Sequence, residues 1–167
     1  METEVENQME FLNSAIIEAR FNLDKNIREG GPFGAAIVKN GELIVTAHNE
    51  VGKTKEPTMH AEIAAIRKAV HKLGTRSLKG CEMYINCYPC PMCLGAIYWA
   101  DIRKVYYGCT ADYAAVKFDD RKLYKLISNE SERHRQTALE TDDIIEMIYM
   151  ENFECNSIID EWNGTSH

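Results

Sequence analysis

Basic residues are in short supply. The chain carries 19 Lys and Arg against 26 Asp and Glu, a formal net charge of −7, and so lacks the positive field of a protein built to hold a polyanion. A small neutral substrate fits better than a nucleic acid. No apolar run approaches the roughly 20 residues that cross a bilayer. Met1-Glu2-Thr3-Glu4 is acidic where a secretory leader would be basic and then apolar. The expected location is the cytoplasm, away from membranes. Internal repeats and low-complexity tracts are also missing, and 167 residues suit one domain. A disulfide framework is disfavoured as well. Six cysteines are present, but a reducing compartment opposes pairing and the Cys-x-x-Cys spacing favours metal. Cys81, Cys109 and Cys155 have apolar or strand-like neighbours and read as small buried thiols.

The stretch from Thr58 to Cys93 holds the chemistry. A catalytic Zn²⁺ takes three protein ligands and keeps one position open for water. His60, Cys90 and Cys93 supply such a set, one imidazole from the start of one helix and two thiolates one turn apart from the start of another. The positive end of a helix lowers a thiol pKa and favours the thiolate that binds metal. Glu62 is then free to carry protons. Zinc lowers the pKa of water from about 15.7 to about 7, so no strong base is needed. Cys87, three residues before Cys90, also allows a closed Cys₃His structural site, which would leave Glu62 and Asn49 without a role.

Periodicity places these residues on a scaffold. Met9, Phe11, Leu12, Ala15, Ile16, Ala19 and residues 21–23 recur at helical spacing and predict a helix ending near Asn26. Asn40-Gly41, between apolar runs at 35–38 and 43–47, predicts an antiparallel hairpin. Residues 50–59 read as a polar loop. From His60 the positions Ile63, Ala64, Ile66, Ala69, Val70 and Leu73 follow a helix, closed by Gly74 as a left-handed cap. Residues 83–86 and 104–107 read as strands on either side of a helix that begins near Cys90. Residues 112–117 and 121–127 read as further helices, and 128–136 as an exposed linker. Thr137 to Glu140 is expected as a fifth strand, and Asp142-Asp143 as the cap of a final apolar helix. His48, His71, His134 and His167 read as surface residues. The alternation predicts an α/β fold of three layers, a central mixed sheet of about five strands between helices.

The pattern His-x-Glu followed by Pro-Cys-x-x-Cys is a zinc deaminase signature. Gly31-Pro32-Phe33-Gly34, His48-Asn49, His60-Ala61-Glu62, the run from Pro89-Cys90-Pro91-Met92-Cys93 to Ala100, and Phe118-Asp119-Asp120 carry the resemblance. Across residues 21–124 the chain resembles the cytidine deaminase superfamily, and within it the small bacterial guanine deaminases. The resemblance implies one zinc per subunit, with Glu62 and Asp120 catalytic. It implies that Asn49, Phe33, His60, Ala61 and Asp120 contact the base. It implies a homodimer in which C-terminal segments, here about 142–167, are exchanged to cover the partner's pocket. Two departures stand out. Tyr88 replaces the acidic or small residue that many relatives carry, and the tail after Trp162 is short for a lid.

Hydrolytic deamination of guanine to xanthine is therefore the leading expectation. An acceptor-only Asp120 suits the ring N–H and exocyclic amine that guanine presents side by side. Asp119 and Asp120 are also ordinary caps for a following helix. Cytosine, guanosine, an ammeline-like triazine and tRNA adenosine remain alternative substrates, the last disfavoured by charge. A non-catalytic zinc-stabilised interaction domain is the alternative from another class, and Glu62 argues against it.

Overall fold

The structure is a computed structural model, and it describes residues 2–115, 118–133 and 145–164. The chain opens with α1 (Glu2–Phe21), then a loop leads into β1 (Gly34–Lys39) and β2 (Glu42–His48). The hairpin between them turns at Asn40 and Gly41 with φ of 53° and 75°, the positive values that an Asn-Gly turn adopts readily. α1 ends at Phe21, five residues before Asn26. Asn22 and Leu23 make only i→i−3 backbone bonds, and the Asn22 side chain is drawn into the following loop instead. One helical turn, α2 (Val51–Thr54), interrupts the polar loop expected at 50–59.

α3 (Ala61–Leu73) ends as expected at Gly74, in the left-handed region with φ 63°. There follow β3 (Cys81–Ile85), α4 (Pro91–Trp99), β4 (Lys104–Tyr107) and the short α5 (Ala111–Ala114), capped by Thr110. α6 (Arg121–Arg133), β5 (Glu146–Tyr149) and α7 (Phe153–Gly164) complete the described elements.

The sheet runs β2-β1-β3-β4-β5. β1 is antiparallel to both β2 and β3, whereas β3, β4 and β5 are mutually parallel. Side chains alternate across it with the period of two that a pleated strand imposes. Ala35, Ile37, Met83, Ile85 and Val105 face one layer, with Ala64, Ala65 and Ala69 of α3 and Ile97 of α4. Ala36, Val38, Tyr84 and Tyr106 face the other, with Leu12, Ala15 and Ile16 of α1 and Ile158 and Ile159 of α7. The three-layer mixed sheet is the predicted fold.

Two expectations at the C-terminal end are corrected. The segment after Ile127 continues α6 to Arg133 and is not a linker. The apolar run that reads as the start of the last helix contains β5. Ile145 and Met147 pack in one layer while Ile148 and Met150 pack in the other, a strand alternation hidden in an almost continuous apolar run. The strand expected at 137–140, the Asp142-Asp143 cap, and His134 and His167 lie outside the described residues, as do residues 116 and 117. α7 packs against α1 of the same chain, with Arg20 Nε 2.6 Å from Glu154 Oε1.

Gly34 marks where α1 rides directly on β1. A Cβ there would lie 2.0 Å from Ala15 O and 2.6 Å from Ala19 N, both backbone atoms that cannot swing aside. Gly34→Ala is expected to destabilise the fold by about 3 kcal/mol or more, the upper end for overpacking, read as a lowered midpoint in urea unfolding.

Candidate metal centre and active site

Two helix starts converge at one end of the sheet. His60 is the N-cap of α3 and Cys90 the N-cap of α4, with near-identical extended backbones, φ −66°, ψ 162° and φ −68°, ψ 164°. An extended N-cap throws its side chain forward, ahead of the first turn. Pro91 occupies the first turn of α4, where its missing N–H costs nothing. Cys93 follows one turn into α4 and is fully buried. The ligand atoms of His60, Cys90 and Cys93 all lie within 4.8 Å of one another, and Cys90 Sγ is 3.7 Å from His60 Nδ1. Cys87 does not join this group, which disfavours a closed Cys₃His site. It lies instead with Cys109, both thiols directed at Thr110 O.

The electrostatics suit a borderline-soft cation. Hydrogen bonding from Cys93, and then from His60, holds Cys90 down to about 4, so this sulfur is a thiolate at neutral pH. Burial and that neighbouring thiolate push Cys93 upward, with Cys90 the larger influence. His60 is raised by its bond to Cys90. One imidazole and two sulfurs, at two helix N-termini, form a donor set that fits zinc. Glu62, in the first turn of α3, is only 7% exposed, and loss of water around its carboxyl raises its pKa above the ordinary range.

A cavity of about 300 Å³ opens in front of these groups, at the small end of the roughly 300–1,000 Å³ usual for small-molecule sites. Phe33, His60, Glu62, Cys90 and Asp120 line it, together with Tyr88, Phe118 and Tyr124. The two aspartates divide. Asp119 is fixed by Arg121, whose backbone N–H and guanidinium both donate to it, and is held down to about 2. Asp120 is raised by burial and by the Cys90 charge, which His60 partly offsets, and it lines the same cavity as those two residues. Both aspartates border the cavity, but the Asp119 carboxylate is taken up by the first residue of α6, whereas no hydrogen bond engages the Asp120 carboxyl among the described residues.

Asn49 and Ala61 are not among the cavity-lining residues. Ala61 is buried in the first turn of α3. Asn49 lies behind the glycine loop, its Oδ1 accepting from Val51 N–H at 3.1 Å. Asn22 and Asn86, both fully buried, were not singled out in the sequence, yet they hold that loop. Asn22 Nδ2 donates to Gly31 O and Asn49 O, and its Oδ1 accepts from Glu29 N–H and Gly30 N–H. Asn86 Oδ1 accepts from Gly34 N–H at 2.9 Å, and its Nδ2 donates to Pro32 O at 3.0 Å. The signal was available for Asn86, an amide closing the otherwise apolar run Met83-Tyr84-Ile85. Tyr124 was also missed. One turn beyond Asp120, its hydroxyl donates to Pro89 O and ties α6 to the cysteine loop.

A His-Cys-Cys triad with one thiol held far below its ordinary pKa, beside a buried carboxyl outside that triad, is the layout of a zinc hydrolase with its own proton carrier. Residues 6–109 match the family model described as the cytidine and deoxycytidylate deaminase zinc-binding region, and the chain belongs to that family. It is thus a zinc-binding enzyme of hydrolytic deamination. Guanine deaminase of Bacillus subtilis is 46% identical over 127 residues, 75% of this chain and 80% of that protein. A tRNA-specific adenosine deaminase of Aquifex aeolicus is 45% identical over 95 residues, covering 57% of this chain and 61% of its own length. A crystal structure of the Bacillus subtilis guanine deaminase matches with a TM-score of 0.66 at 37% identity, over 95% of both chains. No helix among the described residues is long and apolar enough to cross a membrane.

His60→Ala and Cys90→Ser are each expected to lose stoichiometric zinc in metal analysis of the purified protein. Cys87→Ser is expected to keep it. Retention by the first two with loss in the third would move the site.

Proposed function

We propose that this enzyme converts guanine and water to xanthine and ammonia. The observation that carries the substrate assignment is Asp120, a carboxyl in the cavity, electrostatically coupled to Cys90 and His60, while its neighbour Asp119 is committed to Arg121. An acceptor-only group pairs with the adjacent ring N–H and exocyclic amine of guanine. Cytosine offers an acceptor beside its ring N–H and would leave part of that carboxylate unpaired, at about 1–3 kcal/mol. This corresponds to a preference of roughly ten- to a hundredfold.

His60, Cys90 and Cys93 would hold the zinc, which supplies Lewis acidity and makes water nucleophilic near neutral pH. Glu62 takes the water's proton and returns protons to the ring nitrogen and to the departing amine. Its burial suits that task, because loss of water around the carboxyl raises its pKa and makes it a better proton acceptor than an exposed carboxylate. Phe33, packed edge-on against Phe118 at 4.8 Å, offers a flat apolar wall to the base. Asn49 lies behind the loop and off the cavity wall, with its Oδ1 accepting from Val51 N–H, so a contact to the base would be made by Nδ2 reaching past the loop. We further propose a homodimer, because Tyr98 and Trp99 lie adjacent and exposed on α4, Trp99 at 83%. Sedimentation at micromolar concentration as a monomer would count against it.

A second reading, deamination of adenosine in tRNA, draws support from the Aquifex aeolicus relative and is opposed by the acidic net charge. Ammonia release across guanine, guanosine, cytosine, adenine, ammeline and a tRNA anticodon stem separates the two. Guanine is expected to turn over fastest. Glu62→Gln should retain zinc and fold while turnover falls by about 10²–10⁴, and Asp120→Asn should lose guanine activity without losing zinc. Near-normal rates in Glu62→Gln would remove that residue from the mechanism.

A further inference from the structure

His48 takes no part in the chemistry above, yet it is not the surface residue its sequence context suggests. It closes β2 directly opposite Gly34, and its ring stacks on Phe21 with centroids 4.4 Å apart. Nδ1 is 2.6 Å from Glu18 Oε2 on α1, and Nε2 is 2.9 Å from Glu29 Oε2 in the loop. The side chain is 13% exposed. An ionised carboxylate only accepts hydrogen bonds, so both ring nitrogens must carry hydrogen for both contacts to hold. That species is the imidazolium. A neutral ring satisfies one carboxylate and turns a lone pair toward the other.

The surrounding charges complete the arrangement. Thr46 donates to the second oxygen of Glu18, and Lys68 attracts the same carboxylate. Lys53 Nζ is 2.9 Å from Glu29 Oε1 and 3.9 Å from Glu50 Oε1. Glu29, His48 and Glu50 bring potential ligand atoms within 4.8 Å of one another. The ammonium of Lys53 already on Glu29, and the engagement of both ring nitrogens, favour a proton over a metal ion as the bridging charge.

Glu29 leads straight into Gly30-Gly31-Pro32-Phe33. Gly30 lies so close to Asn49 that a Cβ would be 2.0 Å from its Oδ1, and Asn49 N–H donates to Phe33 O at 3.0 Å. Loop 30–33 and Asn49 therefore move as one piece, anchored at Glu29. We propose that His48 is a positioning residue: as an imidazolium bridging Glu18 and Glu29, it locks Phe33 and Asn49 in place and so sets the affinity for the base. This rests on the substrate roles proposed for those two residues.

The sign of the pH dependence follows. The bond to Glu18 first, and then that to Glu29, raises the His48 pKa above its ordinary 6.5. The clamp is complete below that range and is lost as pH rises through the raised value. Guanine kinetics of the zinc-loaded wild type, His48→Gln and Glu29→Gln, from about pH 6 to about pH 9, test this. Dividing variant by wild-type values at each pH cancels the titration of the metal centre.

At about pH 6 the KM of His48→Gln should exceed that of the wild type about tenfold, the effect of one lost charge-assisted contact, with kcat within about twofold. Above the His48 pKa read by NMR the ratio should approach one, as the wild type loses its own clamp. Glu29→Gln should raise KM in the same sense and blunt its pH dependence, which preserves the test if His48→Gln folds poorly. NMR titration of the wild-type imidazole and hydrogen exchange in loop 30–33 read the clamp without any substrate. Protection factors in the loop, which remove the intrinsic rise of exchange with pH, should fall as the ring deprotonates, whichever base the enzyme accepts. A His48 already neutral at about pH 6, or a KM ratio that stays constant with pH, would overturn the proposal.

Discussion

The organisation of this molecule depends on two helices that begin at the same place. α3 and α4 pack on the same face of the sheet, and their N-termini meet in front of the cavity. Each places a ligand residue at its N-cap, and neither His60 nor Cys90 caps its own helix with its side chain. A conventional cap satisfies one of the free N–H groups and contributes about 1 kcal/mol. Here that contribution is forgone and the side chains face outward. Hydrogen bonds from Cys93 and His60 hold the Cys90 thiol well below its ordinary pKa, and the partial positive ends of the two helices act in the same direction.

The cavity side of the site is maintained by polar groups that no water reaches. Asn22 and Asn86 together satisfy backbone groups of residues 29–34 and of Asn49, the first a stretch with three glycines and a proline that makes little regular structure before β1 begins. Each buried amide uses both its donor and its acceptor, so removing either leaves several main-chain groups unpaired at once. Phe33 is presented to the pocket by this polar frame, and the Phe118 ring buttresses it from the opposite side.

The metal triad, Glu62, the hairpin and the Gly74 stop were legible because each depends on local spacing. A dipeptide sets the turn, one turn of helix sets the two cysteines, and helix starts set the caps. What was not legible depends on partners far apart in the chain. His48 reads as exposed until Glu18 and Glu29 are seen on either side of it. Asn22 looks like one more polar residue near a helix end until its four backbone partners appear. The division of labour between Asp119 and Asp120 was open in the sequence, because adjacent carboxylates are chemically alike. The structure distinguishes them by one contact, because Arg121 binds only the first. Residues 145–150 misread as helix for a different reason: an apolar run without polar interruptions shows no period, and only the two layers it touches reveal the alternation.

The two tryptophans occupy opposite environments. Trp99 stands 83% exposed on α4, whereas Trp162 is 9% exposed, with the Arg28 guanidinium 4.5 Å from its ring centroid and Phe118 at 6.4 Å. Phe118 lines the cavity and touches Phe33, so the indole of Trp162 sits one aromatic contact behind the pocket wall. The chain therefore carries an intrinsic optical probe. With Trp99 replaced by phenylalanine, the emission that remains comes from a ring whose surroundings shift whenever the wall does, and the arrival of a flat molecule in the cavity becomes visible as light without any label.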